Sequence, residues 1–395
     1  MSALEGIRVL DLSRVLAGPF CGQMLADNGA DVVKVEAPGG DMNRGFPQVL
    51  SPGQSTNFNS VNRGKRDITL NLKAPEAREL LHKLVPKFDV VIQSFLPDTA
   101  KKLGIDYETF SDLNPDLIYA SISGYGSKGA LRNKPGYDLM VSAFAGVMSL
   151  TGEPDRPPVR AGVTLIDLST GMLCYSGIVT ALQARSTGKA RGQRVDVSLL
   201  ESAVNLLGFH AVSYLQTGQV DGREGAGYLT LAPYGSYRCQ DGEIMMGAPT
   251  EAGWHKLCAL FGDEAMRDDP RFATNADRCA NQEPLRDAIE NHLKSRPMAH
   301  WLEAVEQAGL PVAPIHDVGQ VMEHPQVLAN DLVVSSTDNE GNEMKLVGLP
   351  FKLSKTPGQP GAIPPTPGQH NADVLGELLE LTSADVDRLT EAGVL

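Results

Sequence analysis

Apolar positions in the first part of the chain come in short β-rich runs separated by stretches with helical spacing. Residues 7–12 (Ile-Arg-Val-Leu-Asp-Leu) form one such run. Pro19 suits the first turn of a helix reaching Asp27, and Asn28-Gly29 ends it before a second run at 31–36. The alternation continues with a strand at 67–72, a helix over 75–84, a strand at 89–93, a short helix over 99–103 and a strand at 117–123. Strands alternating with helices predict parallel pairing, and hence an α/β fold with a Rossmann-like large domain. Two long helices, over 138–150 and 168–184, and a strand at 193–199 follow. The second of these helices is dense in small and apolar residues, as a buried helix is.

The pattern then changes. Residues 218–232 are rich in Gly and turn formers and read as a linker. Beyond them lie a β-hairpin around Gln240-Asp241-Gly242 and helical stretches at 254–261, 283–294 and 299–308, which predict a smaller α+β domain over 233–325. Residues 1–217 then form the first part of the large domain, and 326–395 a return segment that completes it. Five prolines between 356 and 369 rule out regular structure there.

The 395 residues are enough for more than one core, and 42% hydrophobic content suits a globular chain. Lys and Arg number 35 against 48 Asp and Glu, a net charge of −13. That balance argues against nucleic-acid or anionic-membrane partners, which need a broad positive face, but allows a small anionic ligand where bases gather locally. No apolar segment is expected to span a membrane, which takes about 20 residues, and the first residues lack the pattern of a secretion signal. The five cysteines are widely spaced without a CxxC pair, so neither a metal site nor a disulfide framework is expected, and a reduced cytoplasmic setting follows.

Several groups could carry chemistry. The first βα turn, Ser13-Arg14-Val15-Leu16-Ala17-Gly18-Pro19, lacks the GxGxxG of dinucleotide sites, although Glu36 ends the second strand where a ribose acid would stand. Bases cluster at Arg63-Gly64-Lys65-Arg66, Lys73 and Lys101-Lys102; taken singly, most such residues are solvated charges. Asp167 sits within an apolar run, Gly162-Val163-Thr164-Leu165-Ile166-Asp167-Leu168, at the start of a long helix. Its commoner role there is an N-cap. The same position is expected to keep it ionised and poorly solvated, which makes a nucleophile. None of the eight histidines stands in HExxH or beside GxSxG.

Five blocks in order, GIRVLDLSRVLAGPFCGQMLADNGADVVKVEAPGGD, VNRGKRDITLNLKAPE, KPGYDLMVSAFAGVMSLTGEPDRPPVRAGVTLIDLSTGM, GQRVDVSLLESAV and PGQHNADVL, cover nearly the whole chain. Together they resemble the class III CoA-transferases, the family of formyl-CoA transferase, carnitine CoA-transferase and α-methylacyl-CoA racemase. The resemblance implies two chains interlocked as a homodimer, no permanently bound cofactor, and a coenzyme A thioester as substrate. It assigns Asp167 as nucleophile. It lays CoA along Arg14, Val15, Leu16 and Ala17, along Leu70, Asn71, Leu72 and Lys73, and along Ser94, Phe95, Leu96, Lys102 and Leu103, with Lys134 near the thioester.

The match also has departures. Where the formyl-CoA enzyme has an Arg after the second strand this chain has Ala37-Pro38, and the tetraglycine lid survives only as Gly225-Ala226-Gly227. The GHD triplet of the racemases is Gly136-Tyr137-Asp138 here, so one of the two proton-transfer groups that racemisation needs is missing. The expected activity is therefore transfer of CoA from an acyl-CoA donor to a carboxylic acid acceptor through an aspartyl anhydride and an aspartyl-CoA thioester. Succinyl-CoA and short diacids are the expected partners, with Tyr137 as a hydrogen-bond donor and Asp138 handling acceptor protons. The alternatives are an epimerase of the same family and a non-catalytic CoA-binding protein.

Overall fold

A computed structural model describes residues 2–51, 53–337, 341 and 343–395. Its central element is a six-stranded, wholly parallel sheet built from β1 (Arg8–Asp11), β2 (Asp31–Glu36), β3 (Arg66–Thr69), β4 (Val90–Gln93), β5 (Ile118–Ser123) and β6 (Gln193–Ser198), in the order β3-β2-β1-β4-β5-β6. The strands are short and rich in β-branched residues, and consecutive side chains enter opposite cores. Leu10, Val33, Ile68 and Val91 pack on one face, whereas Val9, Val32, Val90 and Ile92 pack on the other.

The order reverses between β1 and β4. In open α/β sheets a crevice forms at such a switch, beyond the carboxyl ends of the strands. Helices α1 (Ala17–Asp27), α2 (Pro75–Leu84) and α3 (Pro97–Leu103) follow β1, β3 and β4. Next come α4 (Asp138–Phe144), α5 (Leu165–Ser186), α6 (Leu199–Leu206) and α7 (Phe209–Thr217).

The helix expected over 138–150 stops at Phe144. Gly146 adopts a left-handed φ of 87°, and a 3-10 turn replaces the remainder. The next helix begins at Leu165, earlier than its apolar pattern suggested, because its first turn is capped from another element. By length and composition α5 could cross a membrane, contrary to the sequence expectation. Here it packs along α1, with seven of its 22 residues buried.

The chain divides into two compact units, residues 1–147, 161–216 and 325–395 in the first and 148–160 with 217–324 in the second. The second therefore begins earlier than the sequence suggested and takes in residues 148–160. Gly225 N–H donates to the Gly152 carbonyl, and Arg223 donates to the carbonyls of Glu153, Pro154 and Arg156. Its antiparallel strands β7 (Tyr234–Arg238), β8 (Glu243–Gly247) and β9 (Val312–Pro314) share a core with α8 (Glu251–Phe261), α9 (Gln282–Leu293) and α10 (Met298–Gln307), centred on the buried Trp254.

From Pro325 the chain belongs again to the first unit. A hairpin of β10 (Val333–Thr337) and β11 (Glu343–Val347) precedes the proline-rich stretch. Then α11 (Asn371–Leu379) and α12 (Ser383–Glu391) insert Val374, Leu375, Leu378 and Leu389 against Leu80, Leu81 and Leu84 of α2.

Candidate active site

Two cavities with a common wall lie at the switch point of the sheet. The larger, about 870 Å³, runs along the ends of β1, β2 and β3. Leu70, Asn71, Leu72, Lys73, Phe95, Lys102 and Leu103 line it, together with Arg14. The smaller, about 320 Å³, is lined by Arg14, Val15, Leu16 and Ala17, by Ser94, Phe95 and Leu96, and by Tyr137 and Asp167. Arg14, Met42 and Phe95 belong to both walls. Residues far apart along the chain thus meet at one crevice.

The larger cavity suits a long, mostly apolar ligand with an anionic end. Its walls are Leu12, Leu70, Leu72 and Phe95, and its cations include Lys73, Lys102, Arg78 and Arg14. Arg14 lies over the Phe95 ring at 4.8 Å, and its backbone N–H donates to Ser94 Oγ at 3.1 Å. Lys73 and Lys102 are exposed and have no ion pair among the described residues, so their charge is free for phosphate.

The other basic cluster is not part of this surface. Arg63 is buried against Asp27, Lys65 against Asp11, and Arg66 pairs with Asp31 and Glu377. Glu36 borders the cavity, but its carboxylate accepts from Arg44 and faces Asp67, whose carboxyl burial and Glu36 push up to about 9. Glu36 is therefore engaged within the protein and is not free for a nucleotide ribose.

Glycines set the geometry of the smaller cavity. A Cβ on Gly171 would meet the Ala17 carbonyl at 2.6 Å, so only Gly allows α5 to cross this close to the first turn of α1. Asp167 stands four residues earlier, on the same helix face. The crossing therefore brings its carboxylate beside the N-terminus of α1, which has no side-chain cap. A Cβ on Gly18 would strike Ser13, and Gly124 and Gly136 touch backbone to backbone at the opposite wall.

Asp167 does not cap its own helix. The Asp138 carboxylate does so from α4, accepting the N–H groups of Ile166 at 2.8 Å and Asp167 at 3.1 Å. The Asp167 carboxylate is partly buried and accepts no hydrogen bond among the described residues. Burial, and then the Asp138 charge, push its pKa up to about 7. This corrects the expectation of a fully ionised group: the first-turn position favours the anion, but desolvation outweighs it.

Two other sequence candidates lie differently from their expected roles. Lys134 directs its ammonium over the Tyr125 ring at 5.4 Å and lines neither cavity. Asp138 is engaged as a cap and also lines neither, whereas Tyr137 is exposed in the smaller one. Residues 222–227 belong to the second unit. Sequence reasoning missed Met42, Arg78, Gly124 and Gly171. The glycines carried no signal of their own, because nothing in the linear order shows which backbones will touch.

Comparison with known proteins agrees with this arrangement. The family model described as CoA-transferase family III matches residues 4–371. The succinate–glutarate CoA-transferase of Agrobacterium fabrum is 38% identical over 95% of this chain and 95% of its own length. The succinyl-CoA:mesaconate CoA-transferase of Haloarcula marismortui is 37% identical over 95% of this chain and 96% of its own length. A crystal structure of a CaiB/BaiF family protein from Brucella suis matches with a TM-score of 0.86 at 35% identity, covering 95% of this chain and 99% of that one. Matched over nearly its whole length in both sequence and fold, this chain belongs to CoA-transferase family III.

Proposed function

We propose that the protein transfers CoA from a short dicarboxylyl-CoA thioester, succinyl-CoA foremost, to a free dicarboxylic acid, with Asp167 as the acyl-carrying nucleophile. One observation carries this reading: an under-solvated carboxylate opens into a cavity that shares a wall with a second cavity suited to CoA. The relatives named for succinate, glutarate and mesaconate support the substrate class.

In the first half, the ionised Asp167 oxygen attacks the thioester carbonyl. The C–S bond breaks, leaving a mixed anhydride and CoA thiolate. The thiolate then attacks the aspartyl carbonyl, the anhydride C–O bond breaks, and the first carboxylate departs from an aspartyl-CoA thioester. The acceptor carboxylate reverses both steps: it forms a new anhydride and frees the thiolate, which takes the new acyl group and regenerates Asp167. Dividing one exchange into activated steps is covalent catalysis. An Asp167 with poor hydration is a better nucleophile in its ionised form, and the free N–H groups at the start of α1 are suited to the developing oxyanion.

We also read the protein as a homodimer. Met172 and Leu173 on α5 and Phe209, Val212, Tyr214 and Leu215 on α7 are exposed, an apolar area of the kind that marks an interface. Sedimentation velocity at micromolar concentration checks this, and a monomer would refute it.

The catalytic test uses succinyl-CoA with a panel of free acids. A new thioester should appear only when an acceptor is present, and borohydride added during turnover should convert Asp167 to homoserine, detectable by mass spectrometry. Solvent deuterium entering the α-carbon without an acceptor would favour epimerisation instead. An Asp167→Ala variant with full activity would end the proposal.

A further inference from the structure

The turn between β1 and α1 holds a residue in a conformation its own side chain opposes. Val15 has a φ of 69°, in the left-handed region. A β-branched residue is a genuine outlier there and stays only where its surroundings over-determine it. Gly would take this φ freely, so at Val15 the conformation has to be held by neighbours.

Two groups clamp the peptide units on either side. The Asp41 carboxylate accepts the Val15 N–H at 3.1 Å, and Asn43 Nδ2 donates to the Val15 carbonyl at 2.7 Å. Asp41 Oδ1 also accepts the Asn43 N–H at 3.1 Å, which ties the two clamps together. Beneath them Lys34 Nζ donates to Asp41 Oδ2 at 3.2 Å and to the Ser13 carbonyl at 3.0 Å. The Lys34 and Asp41 side chains are both fully enclosed. Burial by itself would strip the charge from Lys34, but the neighbouring carboxylates, Asp11 first and then Asp41 and Glu36, outweigh it and keep the group protonated. A lysine in the middle of a buried parallel strand is costly, and this one is spent on the turn.

We propose that Asp41, anchored by Lys34, is a positioning residue for the transfer site: it holds Val15 left-handed so that the backbone of residues 14–17 keeps the shape of the smaller cavity's wall, which continues into the larger cavity at Arg14. The inference rests on the functional reading above, since it concerns how CoA is seated. Asp41 acts through the turn, and its own role is geometric.

Titration of free CoA, which needs no turnover, tests this with a double-mutant cycle. Asp41→Asn should weaken CoA binding about tenfold, equivalent to about 1.4 kcal/mol. Introduced into a Val15→Gly background, where the turn needs no clamp, the same change should weaken binding less than about threefold. A merely structural Asp41 would cost the same in both backgrounds, and that result overturns the proposal, as does unchanged CoA affinity in Asp41→Asn. Should Asp41→Asn fail to fold, Asn43→Ala removes the second clamp without disturbing the buried charges and should show the same dependence on Val15→Gly. Equal costs in that cycle also refute the proposal. Wild-type protein that binds no CoA would instead refute the functional reading.

Discussion

Replacing Asp167 by Asn should abolish transfer and make the protein more stable, and the pH dependence of that gain is fixed by the site. The Asp167 carboxyl is raised from 3.8 to about 7, first by burial and then by the Asp138 charge. Below pH 4 it is protonated in folded and unfolded chains alike, so wild type and Asp167→Asn should be about equally stable. Between pH 4 and 7 the unfolded chain loses the proton while the folded chain retains it, and wild-type stability falls by about 1.36 kcal/mol per pH unit. Above pH 7 the whole difference, about 4 kcal/mol, has been lost. The first turn of α5 returns about 0.3–1 kcal/mol to the anion, and water at the cavity mouth screens part of the rest. Asp167→Asn should therefore exceed wild type by about 2–4 kcal/mol at pH 8. Urea unfolding of both proteins from pH 4 to 9 measures the difference, in which contributions from all other groups cancel. A flat difference, or a destabilised Asp167→Asn at pH 8, would refute the account of Asp167 as an under-solvated carboxylate.

Other consequences follow from the same geometry. Asp138→Asn keeps an oxygen for the Ile166 and Asp167 N–H groups but removes the like charge, so the acid limb of kcat/KM should move to lower pH; because burial is the larger cause, its midpoint should stay above 3.8. Gly136→Ala brings a Cβ within 2.4 Å of Gly124 Cα. It should destabilise the fold by about 1–3 kcal/mol and impair CoA binding, as urea unfolding and CoA titration would show. Removing two of the exposed cations, Lys73→Ala with Lys102→Ala, should raise KM for the acyl-CoA about tenfold at low salt, with a smaller effect at high salt. An acyl-pantetheine thioester, which lacks the nucleotide phosphates, should show no such change.

Much of the parallel sheet is legible in the chain because its strands and helices carry local signals. Pro75 opens α2 at its predicted first residue, and Asn28-Gly29 ends α1 where expected. Elements also went wrong for local reasons: Gly146 cut short a helix that apolar spacing would have continued. The basic run at residues 63–66 read as mostly solvated charge because sequence shows charge without showing its partner. Asp27, Asp11, Asp31 and Glu377 neutralise it from elements between 35 and 311 residues away.

The amino-acid order by itself determined the alternation of strands and helices, the excess of acid, and the presence of Asp167 at a helix start, since each depends on neighbours along the chain. Tertiary structure alone decided that Asp138 caps the helix in its place, that the Asp167 carboxylate accepts no hydrogen bond among the described residues, and that Val15 is pinned by Asp41. Those outcomes depend on which surfaces meet when α1, α4 and α5 pack, and on how much water that packing expels. Desolvation and close backbone approach are properties of the assembled molecule, and they give this carboxylate its chemistry.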